Sequence, residues 1–401
     1  MPTSPPDRAP ADRVLRVAVL SELPTPYRWP LFRRVGAVEH LDLTVFFYSR
    51  TEADRDWGLD VGDDGGVSVV FPPGRSFHVR GRRSLFFHWN PDLVARLRKG
   101  AFDVVVIPGW SMPSSLAAVW ACRRSRTPYV IFSETNDLSP RSWWVRRLKR
   151  IVLRPIVGRA AAWLATGTMS ARFLERHGAV SARTHRFANT PDVEALAAAV
   201  DAARPLRAAT RRDLGLPVGA PVALFVGRLI GAKDVATLLE AHARLEASGS
   251  PLWTLIVGSG TEAESLHARA QDLRLRQLVF AGAKKPPDLL ALWAAADLFV
   301  LPSVHEPWGV VVNEAMAAGL PIVLSDRVGA GPDLLVDGET GRGFRAGEPE
   351  SLAAVLSELA TAPDARARMG AAAARRVRDW GYGPSVVGFE RAVRDAMEAV
   401  T

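Results

Sequence analysis

Glu306 and Glu314 stand eight positions apart in FVLPSVHEPWGVVVNEAMAAGLPIVLS, residues 299–325; the first falls in a turn, the second in the helical pattern that follows. A carboxylate accepts hydrogen bonds from paired hydroxyls, so two of them arriving from different elements can hold one sugar-like ligand from two directions. Residues 310–318 are expected to form a helix, because Gly309 frees the turn before it and Gly319 with Pro321 closes it. A helix that opens beside the carboxyl end of a strand presents bare N–H groups and a partial positive charge, which favours an anion such as phosphate by about 0.3–2 kcal/mol. The chemistry on offer is hydroxyl recognition next to an anion site. An ordinary β-α-β unit with two solvated glutamates satisfies the same letters, and the turn alone does not choose.

The elements that must position these groups are short apolar strands. LFVLP stops at Pro302 and PIVLS resumes after Gly319, and both have the β-branched, aromatic content of buried parallel strands. The pattern runs through the chain: VLRVAVL, LDLTVFFYS, VSVVF, FDVVVIPG and PYVIFSE come first, then PVALFVG, WTLIVG and LVFAG, with helical patterns between several of them. Strands alternating with helices imply parallel, doubly wound sheets, whose ligands bind at the carboxyl ends of strands. Three loops at such ends stand out in the first half: Tyr27 and Arg28 after the first strand, Gly109 and Trp110 after the fourth, and Glu134 after the fifth. Residues 189–219, rich in Ala, Arg, Pro and Asp, separate the two series. The expected division is a disordered tail over 1–13, a first domain over 14–200, a second over 201–380 and an amphipathic closing segment over 381–401.

As a set, the motifs of the second half resemble family 4 of the retaining glycosyltransferases, which have the GT-B fold. HEPWGVVVNEAMAAGLPIV is similar to that family's signature of two glutamates with seven residues between them, and FVGRLIGAKD places Arg228 and Lys233 as in its GRLxxxK segment. LIVGSGTE, VFAGAKK, ADLFVLPS and DLLVDGETGRGF follow the family's pattern in its order. The resemblance is strong over residues 221–345 and weak elsewhere. It implies two Rossmann-like domains facing a cleft, an acceptor bound by the first, a nucleoside-diphosphate sugar bound by the second, and a final helix crossing back to the first. Carried over residue by residue, Gly227, Arg228 and Lys233 would serve the diphosphate, with the turn Trp308, Gly309 and Val310 adding backbone donors. Glu306 would hold hydroxyls of the donor sugar, Glu314 the ribose 2′ and 3′ hydroxyls, and the backbone of Gly282 and Ala283 the base. Many members carry a Gly-Gly pair in the first loop and a histidine after a later strand. This chain has Tyr27, Arg28 and Glu134 there instead, expected either to bind the acceptor or to cap turns and pack.

Moving a sugar from a nucleoside diphosphate builds negative charge on the departing phosphate while the sugar becomes cation-like. Glu306, Arg228 and Lys233 are therefore the expected catalytic set, the two cations facing the phosphates. The sugar nucleotide is a substrate, so no cofactor is expected. Asp54 and Asp56 spell the Asp-x-Asp of metal-dependent transferases, but they sit in an acidic, Gly-rich loop rather than at a strand end, and no His or Cys cluster has ligand spacing. Retention without a metal is the expectation.

The 401 residues, 48% hydrophobic with mean hydropathy +0.04, fit a globular protein of two to three domains. Cys122 is the only cysteine, which excludes an internal disulfide and suggests a reducing compartment. No window reaches 18 uncharged apolar residues, and the expected location is cytoplasmic, peripheral at a membrane face. Net charge is +9 and the pI about 10.3. Within 138–174 there are eight Lys or Arg and no acid, with Trp143, Trp144, Leu148, Ile151, Val152 and Ile156 interleaved. Such a stretch suits an anionic membrane, an anionic substrate or single-stranded nucleic acid, and an ordinary solvated helix explains it too. The acceptor expected from it is a glycan or lipid-linked sugar, with a soluble secondary metabolite as the rival. A dehydrogenase is disfavoured because Gly258-Ser-Gly260 lacks the third glycine of the dinucleotide motif and follows a later strand. A sugar-nucleotide epimerase or glycan phosphorylase would share the cleft but seldom the full motif set. Nucleic-acid binding would leave the paired glutamates unexplained, so no nucleic-acid partner is expected.

Overall fold

The computed structural model describes residues 13–52, 58–79, 85–138, 143–285 and 287–399. The expected tail, save its last residue Arg13, and the Asp54 and Asp56 pair lie outside them, as does the side chain of Arg146.

Strands β1 (Leu15–Ser21), β2 (Leu41–Phe47), β3 (Val67–Val70), β4 (Arg75–Val79), β5 (Leu85–Trp89), β6 (Val104–Pro108), β7 (Tyr129–Ser133), β8 (Ala162–Ala165) and β9 (Thr184–Arg186) belong to the first half. All but the antiparallel β4-β5 hairpin form one sheet in the order β3-β2-β1-β6-β7-β8-β9, with parallel pairings throughout. Strands β10 (Val222–Val226), β11 (Trp253–Val257), β12 (Leu278–Gly282), β13 (Leu298–Leu301), β14 (Ile322–Ser325) and β15 (Gly341–Phe344) form the second sheet, ordered β12-β11-β10-β13-β14-β15 and also parallel. Strands such as VVVIP and LFVL are apolar on both faces because helices cover both, which alternating apolar and polar residues could not satisfy.

In each sheet the chain reverses its winding direction once, between β1 and β6 in the first and between β10 and β13 in the second. Loops leaving neighbouring strands on either side of such a point diverge and open a crevice at the carboxyl ends. Both crevices are where the sequence motifs fall. Arg228 follows β10 and Glu306 follows β13, while Arg28 follows β1 and Glu134 follows β7.

Two differences from the expected outline have physical causes. The helix Val193–Ala203 buries Val193 and Val200 in the core of the second sheet, so the domain boundary falls before it rather than at residue 200. Within the acid-free region lie β8 and all but the last two residues of the helix Thr168–Arg176, as well as the helix Trp143–Val157. Four residues of AWLA are too few to show a period, and a buried strand gives no alternation.

The helix Tyr382–Glu398 returns to the first sheet. Phe389, Ala392, Val393 and Ala396 enter that domain's core, Phe389 lies 5.5 Å from Phe187 between ring centroids, and His185 bonds Asp395 at 2.7 Å. Gly388 is required there, since a Cβ would stand 2.0 Å from the Arg186 carbonyl oxygen.

Candidate active site

The loop after β10 carries Gly227 and Arg228, and its path is set by two glycines from the loop after β11. A Cβ on Gly258 would lie 1.8 Å from the Gly227 carbonyl oxygen, and one on Gly260 would lie 2.3 Å from that of Leu229. The two loops are then laced by Leu229 N–H to Ser259 O at 2.8 Å and Glu262 N–H to Leu229 O at 2.9 Å. These glycines let two backbones approach each other, which is the reason for the incomplete dinucleotide-like motif at that point. Arg228 projects from the laced loop and is exposed.

Lys233 ends a short turn, Gly231–Lys233, whose Ala232 carbonyl accepts from the Val304 and His305 N–H groups at 3.0 and 3.3 Å. That clip fixes the β10 loop to the β13 loop, and the Lys233 ammonium forms an ion pair with the Glu306 carboxylate. Only 15% of the lysine side chain and 13% of the glutamate side chain are exposed, so the pair is poorly screened compared with a surface salt bridge. Glu306 is in turn held by its backbone: its N–H donates to Arg327 O at 3.2 Å, and its carbonyl accepts from Gly329 N–H at 2.9 Å.

Gly309, at φ +97°, is the residue before the helix Val310–Ala317. Only glycine takes that conformation readily, and a Cβ would press on Cγ of Glu306 at 3.1 Å. The helix therefore begins against the glutamate, with its first N–H groups beside the Lys233–Glu306 pair. Glu314 lies farther along the helix, half-buried, and its carboxylate has no hydrogen-bond partner among the described residues. Burial pushes its carboxyl up to about 7. Gly282, at φ +69°, and Ala283 sit exposed at the end of β12, and Gly282 O accepts from Gly258 N–H at 2.9 Å.

The Trp308 side chain takes no part in the crevice. Its ring is buried between the halves, 5.2 Å from Trp380 between centroids, and its indole N–H donates to Asn313 Oδ1 at 3.0 Å. A Cβ on Gly167 of the first domain would meet that ring at 2.4 Å. The indole is a wedge in the domain contact, so only the backbone of this motif residue can serve a ligand.

On the opposite wall, Arg28 is buried beneath Phe132 and Phe187, its guanidinium 4.0 and 5.0 Å from their ring centroids. Nη2 donates to Glu134 Oε1 at 2.9 Å while Nη1 is buried without a partner among the described residues. Tyr27 is half-buried, and the Glu134 side chain is 42% exposed, so the glutamate is the member of the pair that faces outward. Two positions on, Asn136 Nδ2 donates to Pro307 O at 2.9 Å, which ties this wall to the Glu306 turn. A second tie joins Asp333 to the first domain, where it accepts from the Thr168 N–H at 2.9 Å and from the Thr168 hydroxyl. Asn136 ends the loop noted after the fifth strand and Asp333 opens the DLLVDGETGRGF motif, but the partner of neither was legible in the sequence, because a contact across 165 or 171 residues has no local period.

Comparisons with known proteins bear on the fold and the family likeness. Residues 207–376 match the glycosyl transferases group 1 family, and residues 31–190 match the glycosyl transferase 4-like domain. Both halves of the chain are therefore glycosyltransferase-like, the second half resembling the first family and the first half resembling the other. Among curated relatives, a D-inositol 3-phosphate glycosyltransferase of Streptomyces scabiei is 37% identical over 201 residues, 48% of this chain and 45% of the relative. A lipopolysaccharide core biosynthesis glycosyltransferase of Rhizobium meliloti is 37% identical over 163 residues, 40% of this chain and 46% of the relative. The chain thus spans about half the length of the curated relatives it matches. Anabaena HepE, solved in complex with UDP-glucose, superposes with a TM-score of 0.65 at 18% identity, covering 96% of this chain and 99% of that one. A glycosyltransferase of Rickettsia africae reaches 0.73 at 12% identity, covering 96% and 99%. At such identities the likeness is one of fold, and the fold is the GT-B arrangement of two Rossmann-like domains.

Proposed function

We propose that the chain is a retaining, metal-independent glycosyltransferase that moves a sugar from a nucleoside-diphosphate sugar to a glycan or lipid-linked acceptor. The observation that carries this reading is the partly buried Lys233–Glu306 pair at the crevice of the second sheet, beside a helix N-terminus and the exposed Arg228. An entering donor exchanges partners with the pair: its diphosphate takes Lys233, and its sugar hydroxyls donate to Glu306. Arg228 and the first N–H groups of the helix add positive charge where the departing phosphate gains its negative charge, a kind of stabilisation worth about 2.7–4 kcal/mol per donor. Two side-chain cations and the helix end supply what a divalent ion supplies elsewhere.

The reaction breaks the bond from the anomeric carbon to the phosphate oxygen and forms one from the same carbon to an acceptor oxygen. In the front-side course proposed here, the acceptor proton passes to the departing phosphate, which leaves from the face that the acceptor enters. Glu134, outward on the opposite wall, is placed to orient the acceptor, and Arg28 beneath it holds Glu134 in place. HepE was solved with UDP-glucose bound, which makes that sugar nucleotide the first donor to assay. Product stereochemistry by NMR should show the donor's anomeric configuration kept, with turnover unchanged by EDTA. An inverted product, or activity lost to EDTA and restored by Mn²⁺, overturns the proposal.

A further inference from the structure

The helix Trp143–Val157 turns its apolar residues outward. Leu153 and Val157 are buried in the first domain's core, and Lys149 Nζ lies 4.4 Å above the Phe173 ring on the inner side. Trp143 is 75% exposed, and Trp144, Leu148, Ile151 and Val152 are each more than half exposed. At 3.6 residues per turn, Trp144, Leu148, Ile151 and Val152 fall within an arc of about 100° on the side away from Leu153 and Val157. A helix whose outer stripe is more apolar than a solvated face requires is a surface awaiting a partner.

Charge identifies the partner. Arg147, Arg150 and Arg154 are exposed along the same helix, Arg159 follows it, and no acidic residue occurs within 138–174. An apolar stripe bordered by exposed cations matches a bilayer leaflet, where acyl chains take the stripe and anionic headgroups take the arginines. The surface also lies near the cleft. Leu138 O accepts from Arg327 Nη1 of the second domain at 2.9 Å, and five peptide steps of 3.8 Å place Trp143 within about 19 Å of it, whatever path the chain takes.

We infer that the exposed face of Trp143–Val157 docks the protein on an anionic membrane leaflet, beside the cleft mouth. Docking stands apart from the transferase reading; only the corollary that the acceptor comes from the bilayer rests on it. The test is co-sedimentation of the full chain with phosphatidylcholine vesicles, with and without phosphatidylglycerol, at low and high salt. The protein should pellet with the anionic vesicles at low salt and be released at high salt. Reversing Arg147, Arg150 and Arg154 to Glu should weaken this at least about a hundredfold, and the combined Trp144→Ala, Leu148→Ala and Ile151→Ala at least about tenfold. Because these side chains are exposed, both variants should keep the wild-type melting temperature and its rise with UDP, which shows fold and donor site intact. Wild type that ignores anionic vesicles at low salt overturns the inference. So does a wild-type dimer that the alanine variant splits while vesicles have no effect, since the face would then join two copies of the chain.

Discussion

Glu314→Gln separates the structural cost of the site from its use. The carboxyl sits half-buried without a hydrogen-bond partner among the described residues, and its midpoint is about 7 against an ordinary 4.5. The folded midpoint lies above the unfolded one, so this group's stabilisation is full below about 4.5 and is lost as the pH rises through about 7. Ionising it fully in the fold costs about 3 kcal/mol, and allowing for solvent at a half-buried side chain leaves about 1.5 kcal/mol. The amide has the carboxylate's shape and no charge, so Glu314→Gln should melt about 3–6 °C above wild type near pH 8.5 and close to it near pH 5. On the proposed donor reading, with Glu314 taking the ribose diol of UDP, the same substitution should weaken UDP, because a diol donates two hydrogen bonds to a carboxylate and an amide accepts with one oxygen only. Wild-type UDP affinity should also fall about tenfold from pH 8 to pH 6, as the carboxyl takes up a proton it must lose to bind, while the variant's affinity stays flat. Differential scanning fluorimetry and calorimetric titration read both quantities. A variant that melts no higher than wild type at pH 8.5, or wild-type binding that is level across this range, refutes the reasoning.

Arg228→Ala should lower kcat by about a hundredfold with a smaller change in donor KM, as loss of a charge partner made in the transition state requires; steady-state kinetics that match wild type would remove Arg228 from the site. Gly258→Ala forces a Cβ to within 1.8 Å of the Gly227 carbonyl and should displace the Arg228 loop, costing activity well before fold, as far-ultraviolet circular dichroism alongside the assay would show. Gly388→Ala should destabilise by about 1–3 kcal/mol in urea unfolding with donor binding retained, because it lifts the last helix from the first sheet and touches nothing in the second crevice.

The sequence disclosed those parts of the site that hang from strand ends. Arg228, Lys233 and Glu306 follow β10 and β13 at short, fixed spacings, so a linear motif and a spatial cluster are nearly the same object. Trp308 shows where that equivalence stops: spacing put it in the motif, while its orientation depends on Trp380 and Gly167, each far away in the chain. Arg28 is similar, since only the structure shows it lying beneath Glu134 and two phenylalanine rings. In the basic stretch the sequence showed that apolar and charged residues alternate with helical spacing, but which side faces the core was settled by the sheet it packs on.

The return of the last helix has a mechanical consequence. The chain passes between the halves twice, near Asp192 and near Tyr382, and Arg34 of the first domain touches both passages, bonding Asp192 at 2.8 Å and lying 5.3 Å from the Tyr382 ring centroid. Two crossings side by side act as a pair of pivots on one axle. Rotation about that axle parts Asn136 from Pro307 and Thr168 from Asp333, whereas sliding or twisting would strain both crossings together. A distance label across Thr168 and Asp333 should therefore spread far more than one across Arg34 and Asp192 as the molecule breathes, and equal spreads would mean that the halves move without an axle.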